Sequence, residues 1–177
     1  PKYYEDYDEL LADPDVELVT LASPIGVHFE QGMKAIRAGK HVHFNKTMCL
    51  TAEEATAMID EAAKYGVKLV SSPGQMTSPA LRRMRKAILG IPSWTIGGSE
   101  GVLYWHCWQP NRDFGNGMEK IDPTWYFKQP AGGPIWDCTV YALHAMTGIY
   151  GPAKRVTAFS GQRVKEFEFD GRKIESE

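Results

Sequence analysis

The sequence predicts an α/β chain in two parts: a parallel sheet with flanking helices over residues 1–74, then an α+β segment over residues 75–177. Three observations carry that reading. Short apolar runs alternate with amphipathic, capped segments up to about residue 75, which is the sequence form of parallel β-α-β units. Beyond Pro79 the alternation stops, and a basic helix, an aromatic-rich stretch and a long irregular connection follow. Between Lys128 and Lys154 only Asp137 is charged, so a single carboxylate enters an otherwise apolar helical segment.

Taken in order, Tyr7 to Leu11 has helical spacing and Leu18 to Ala22 is a short, mostly apolar run of strand length. Val27 to Ala38 reads as an amphipathic helix closed by Gly39, and His41 to Phe44 as the second strand. Thr51 to Tyr65 opens on a Thr51-x-x-Glu54 capping box and stops at Gly66, ahead of a third strand, Val67 to Ser71. In the second part Ala80 to Leu89 is a basic helix whose Arg82, Arg83, Arg85 and Lys86 read as a solvated face rather than a phosphate or nucleic-acid site. Trp94 to Trp108 is strand-like and Gln109 to Gln129 irregular. The Asp137 helix follows, then two strands, Arg155 to Gly161 and Arg163 to Phe169, separated by a turn.

Composition narrows the function classes. With 177 residues, 43% of them hydrophobic and a net charge of -2, the chain has enough apolar mass for a core and no electrostatic footprint for nucleic acid or an anionic membrane. No apolar run reaches the roughly 18 residues of a membrane span, and a cytoplasmic location is the default expectation. Cys49, Cys107 and Cys138 are odd in number and widely spaced, which fits a reducing compartment better than a disulfide framework. His41 with His43, and His106 with Cys107, lack a third ligand at metal-binding spacing, so no metal site is expected. The chain opens at Pro1 without Met, and the expectation is a fragment of a longer protein.

Two groups of residues carry candidate chemistry. Asp137, Tyr141 and His144 stand at i, i+4 and i+7, one face of a continuous helix flanked by Trp136, Val140, Leu143 and Met146. A buried carboxylate there needs a partner or a task, while the turn Ala131-Gly132-Gly133-Pro134 leaves open that Asp137 simply complements a helix dipole. The second group follows the strands: Ser23-Pro24-Ile25 with His28, Asn45-Lys46-Thr47, and Ser71-Ser72-Pro73-Gly74-Gln75. Ligands of doubly wound sheets bind outside the carboxyl ends of the strands. Lys46 could there hold a hydroxyl or a developing oxyanion, the alternative being a solvated loop lysine.

Gly39-Lys40-His41-Val42-His43-Phe44-Asn45-Lys46-Thr47 followed by Thr51-x-Glu53-Glu54-Ala55 resembles the Gly-Lys-His-Val, Glu-Lys-Pro and Thr-x-Glu-Glu-Ala segment of the Gfo/Idh/MocA oxidoreductases. Trp125-Tyr126, Ala131-Gly132-Gly133-Pro134 and Asp137-x-x-x-Tyr141 resemble that family's second signature. Tyr7 to Val16 and Gly151 to Gly161 are similar as well. The resemblance implies a partial Rossmann doubly wound parallel sheet followed by part of an α+β domain with an open antiparallel sheet. It implies NAD or NADP as cofactor, hydride exchange at a sugar or polyol carbon, and pairing of subunits through the second-domain sheet.

Carried over residue by residue, Lys46 matches the substrate-contacting lysine beside the nicotinamide, Asp137 the orienting carboxylate and Tyr141 the acid/base. His144, Trp125 and Tyr126 fall on the substrate side; Ser23, Pro24, His28, Asn45, Lys46 and Gln75 fall on the cofactor side. Loss of a hydroxyl proton as hydride leaves carbon requires such an acid/base group within hydrogen-bond reach. The sequence departs from the pattern at Asn45 for Glu, Thr47 for Pro, Pro134 for a third glycine, and His144 for Asp or Asn. It also contains no Gly-x-Gly-x-x-Gly, the turn that cradles the pyrophosphate, so these 177 residues alone are expected to bind NAD(P) weakly. A redox-neutral NAD-dependent glycosidase or epimerase, and a non-catalytic dinucleotide- or sugar-binding relative, stand as the other readings.

Overall fold

The computed structural model describes residues 2–90, 122, 124–162 and 164–177, and the chain divides into two compact units, Pro1–Pro73 and Gly74–Glu177. In the first unit helix α1 (Tyr7–Ala12) precedes strand β1 (Leu18–Leu21), a 3-10 turn (Ile25–Val27) leads into α2 (His28–Arg37), and β2 (His41–Phe44), α3 (Ala52–Tyr65) and β3 (Leu69–Ser71) follow. The strands form a parallel sheet in the order β1-β2-β3, with Val19 opposite Val42 and Val42 opposite Leu69. The expected parallel α/β class is therefore present.

Local chemistry sets these boundaries. Asp6 caps α1 by accepting from the N–H groups of Asp8 (2.7 Å) and Glu9 (3.1 Å). At α3 the Thr51 hydroxyl accepts from Glu54 N–H at 3.1 Å, while Glu54 Oε2 reaches back one residue further than the usual box, to Leu50 N–H at 2.9 Å. Alternate strand residues Val19, Leu21, Val42 and Phe44 are buried with Ile36 of α2 and Met58 of α3. Phe44, Ile36 and Met58 are fully buried, each such side chain contributing about 1.5–3 kcal/mol. The other sheet face, with Leu18 and Val70, is exposed. Asp13 ties the leading segment down, accepting from Lys2 Nζ, the Tyr4 hydroxyl and Asp15 N–H.

The second unit holds a 3-10 turn (Gln75–Thr77), α4 (Pro79–Leu89), a 3-10 turn (Thr124–Phe127), α5 (Pro134–Asp137), α6 (Thr139–Tyr150) and an antiparallel hairpin of β4 (Glu166–Phe169) and β5 (Arg172–Glu175). Tyr126 and Phe127 pack with Phe169 and Ile174, and the Phe127 and Phe167 rings lie 4.4 Å apart.

Four expectations need correction. The single helix through Asp137 and His144 is broken at Cys138, whose φ of -114° departs from helical values, so Asp137 ends α5 and Tyr141 belongs to α6. Among the described residues, 155–161 pair with no strand: Val156 is 81% and Phe159 98% exposed, and an alternating pattern makes a strand only where a sheet face covers it. The hairpin lies further on, turning at Asp170-Gly171, whose φ of 51° and 72° are those of a type I′ turn. Thr124–Phe127, read as irregular, is a 3-10 turn. Trp94–Trp108, most of Gln109–Gln129, and Arg163 lie outside the described residues. Among the described residues no helix is long and apolar enough to cross a membrane, and no cluster of three metal-ligating side chains occurs.

Candidate active site

In the first unit the candidate residues occupy the loops at the carboxyl ends of β1 and β2. Ser23 Oγ lies 2.5 Å from Gln31 Oε1 of α2, and exposed Pro24 starts the 3-10 turn that delivers His28 into the core. His28 is 0% exposed, with Nδ1 2.8 Å from the Thr47 carbonyl and Nε2 2.9 Å from the Ser23 carbonyl. Asn45 N–H extends the ladder to Leu21 O at 2.8 Å, and Asn45 Oδ1 accepts from Lys46 N–H at 2.9 Å. Lys46, half-buried, is thereby the second residue beyond the end of the central strand, and its peptide to Thr47 is cis. The structure joins Ser23, His28 and Thr47 in one hydrogen-bonded cluster with Lys46 adjacent in the chain.

In the second unit Gln75 N–H donates to His144 Nδ1 at 3.2 Å, which holds the first 3-10 turn against α6. Tyr141 lies three residues before His144 on α6, about one turn, so both project from one side of that helix. Asp137 precedes the break: its N–H donates to Gly133 O at 3.1 Å, and the Cys138 thiol lies 3.6 Å from its Oδ2. The Gly-Gly turn before it is sterically required. A Cβ on Gly132 would come within 2.4 Å of Lys128 O and 2.6 Å of Tyr126 O, while Gly133 sits at a φ of +94°. Trp125 is 38% exposed; Tyr126 is buried, with the two rings meeting edge-on at 5.4 Å.

The family model for the NAD-binding Rossmann fold of the Gfo/Idh/MocA oxidoreductases matches residues 1–72. That match places residues 1–72 in the family. It is 42% identical over 154 residues to scyllo-inositol 2-dehydrogenase (NADP(+)) of Bacillus subtilis, covering 86% of this chain and 40% of the relative. It is 33% identical over 143 residues to D-xylose 1-dehydrogenase (NADP(+)) of Hypocrea jecorina, covering 80% of this chain and 36% of that protein. The crystal structure of an NAD binding oxidoreductase from Klebsiella pneumoniae superposes with a TM-score of 0.70 over 98% of this chain and 44% of that one, at 24% identity, and so agrees in fold. The chain spans less than half the length of the curated relatives it matches.

A family member's dinucleotide would meet loops whose side chains are already partly committed. Ser23 is engaged by Gln31, Asn45 by Lys46 N–H, and both His28 nitrogens by carbonyls. The sequence contains no glycine turn for the pyrophosphate of such a cofactor. Sequence reasoning missed Gln31 and the Thr47 carbonyl as organisers of this end of the sheet, and Asp13 at the opposite end, where its carbonyl accepts from Lys40 Nζ ahead of β2. Only the Gly132-Gly133 pair offered a local signal of its role.

Proposed function

We propose that these residues form part of an NAD(P)-dependent oxidoreductase that exchanges hydride with a sugar or polyol hydroxyl. In this reading residues 1–74 are the C-terminal part of a Rossmann dinucleotide-binding domain, and residues 75–177 part of the substrate and oligomerisation domain. The observation that carries it is the position of Lys46 at the carboxyl end of the central parallel strand, where doubly wound sheets bind ligands. The matches to an inositol and a xylose dehydrogenase support the substrate class.

Bound NAD(P) would supply the hydride acceptor. Lys46 holds the substrate oxygen and favours the alkoxide by its charge; Tyr141 takes the hydroxyl proton; Asp137 orients the neighbouring hydroxyl. His144, Trp125 and Tyr126 shape the substrate side, and Ser23, Pro24, Asn45 and Gln75 border the cofactor, with His28 behind them. The protein works as a cytoplasmic homo-oligomer that pairs through the second-domain sheet.

The test uses the full-length protein with a panel of sugars and polyols, following absorbance of reduced nicotinamide. Net NAD(P) reduction with one of them is expected. Cofactor that co-purifies without net change of redox state sinks the dehydrogenase reading and leaves the redox-neutral or non-catalytic one.

A further inference from the structure

We propose that His28 is a positioning residue whose ring, protonated on both nitrogens, ties the loop after β1 to the Lys46–Thr47 loop and so sets where the Lys46 ammonium stands. The ring touches no ligand, because it is fully buried. Its two polar neighbours are both carbonyl oxygens, Thr47 O at 2.8 Å from Nδ1 and Ser23 O at 2.9 Å from Nε2.

A carbonyl oxygen accepts and never donates, and a neutral imidazole has one N–H to give. A neutral ring would satisfy one carbonyl and turn a lone pair toward the other at hydrogen-bond distance, from a ring that is itself fully buried. An imidazolium donates to both, in two charge-assisted hydrogen bonds.

The surroundings are compatible with that state. The Phe44 ring lies 6.1 Å away at 58°. The ionised groups of the elements packed around His28 are exposed or engaged elsewhere: Lys34 with Asp8, Arg37 with Glu61, Glu54 with Leu50 N–H, and Glu30 in solvent. Lys46 belongs to the loop being held. The two carbonyl dipoles therefore carry the stabilisation.

The clamp has a mechanical consequence. Ser23 and Thr47 leave the ends of adjacent strands, and the ladder between those strands stops at Asn45 N–H bonded to Leu21 O. Beyond that point the ring bridges the two chains, one residue past Lys46. The positioning of Lys46 for hydride transfer rests on the function proposed above; the doubly protonated clamp does not.

The first experiment is nitrogen-15 NMR of the ring-labelled wild-type protein. Two protonated ring nitrogens on His28 are expected, and a neutral ring with one N–H overturns the clamp. The second compares His28→Phe and His28→Gln in the full-length protein. In His28→Phe the amide signals of Lys46 and Thr47 should shift while those of α3 stay, and kcat should fall roughly 10- to 100-fold at little changed KM for the cofactor. His28→Gln, whose amide has two N–H bonds to give, should recover part of the loss. If His28→Phe does not fold, the wild-type ring spectrum and His28→Gln still decide. Unmoved Lys46 and Thr47 signals, or unchanged kcat, overturn the positioning role. A full-length wild type that never reduces NAD(P) sinks the hydride reading alone, since the ring spectrum and the amide signals are read without turnover.

Discussion

The backbone N–H of Gln75 donates to Nδ1 of His144 at 3.2 Å. An amide N–H can only donate, so Nδ1 keeps its lone pair and the ring proton sits on Nε2. His28 and His144 thus have opposite surroundings, each within its own unit: His28 faces two acceptors, His144 a donor.

Replacing His144 tests that contact. His144→Phe leaves the half-buried Gln75 N–H without its acceptor, and a loss of about 1 kcal/mol in urea unfolding is expected. An unchanged midpoint would show that solvent replaces the ring at no cost.

Gly32 packs against the Phe44 ring. A mid-helix Gly→Ala change ordinarily gains about 1 kcal/mol of helix propensity. Here an added methyl would lie 2.7 Å from Phe44 Cε1 and Cζ and 3.0 Å from Met58 Sδ, in a core with no exposed side to yield. Gly32→Ala is therefore expected to lower stability by about 1–2 kcal/mol, read from denaturant midpoints, as overpacked cores do. A stabilised variant would mean that the ring moves freely.

Two carboxylates give the fold an acid limit. Asp122 is pulled down to about 2 by the Thr124 hydroxyl first, then by Arg172 and Thr124 N–H. Asp13 is held still further below the ordinary carboxylate range, by Lys2 first, then Tyr4 and Asp15 N–H. Because the folded values lie below the unfolded value of about 3.9, their contribution is complete above that pH and is lost as pH falls through the folded values. Stability should thus fall between about pH 4 and about pH 2 with a slope that Asp122→Asn reduces; an identical slope in that variant refutes the assignment.

Tyr141 and Lys46 give the catalytic test. In the full-length protein Tyr141→Phe should lower kcat roughly 100- to 10,000-fold, the range for loss of a positioned acid/base group, with substrate binding largely kept. Lys46→Met should lower kcat/KM as well. Near wild-type turnover in Tyr141→Phe would assign the proton transfer to another group.

The parallel-sheet half was legible because its signals are local. The strand at His41 to Phe44 and the Thr51 cap were readable from neighbouring residues, and the structure has β2 and α3 there. The hairpin was misplaced for the opposite reason. Residues 155–161 alternate like a strand but find no covering face among the described residues, whereas the less apolar Glu166–Phe169 and Arg172–Glu175 pair across Asp170-Gly171, a turn signal that outweighs the alternation. Periodicity also ran Asp137 and Tyr141 onto one helix, since a pattern with a period of about 3.6 residues does not register a single backbone excursion at Cys138.

The sequence by itself determined the order of elements through β3, the capping of α3, and the presence of Lys46 and His28 after adjacent strands, since each follows from side chains within a turn or two. The tertiary structure alone decided that His28 meets two carbonyls, that Gln75 meets a ring 69 residues away, and that Asp13 gathers Lys2 and Tyr4. Buried polar groups take whatever partner packing brings within reach, and that choice is made by the assembled core rather than by neighbours in the chain.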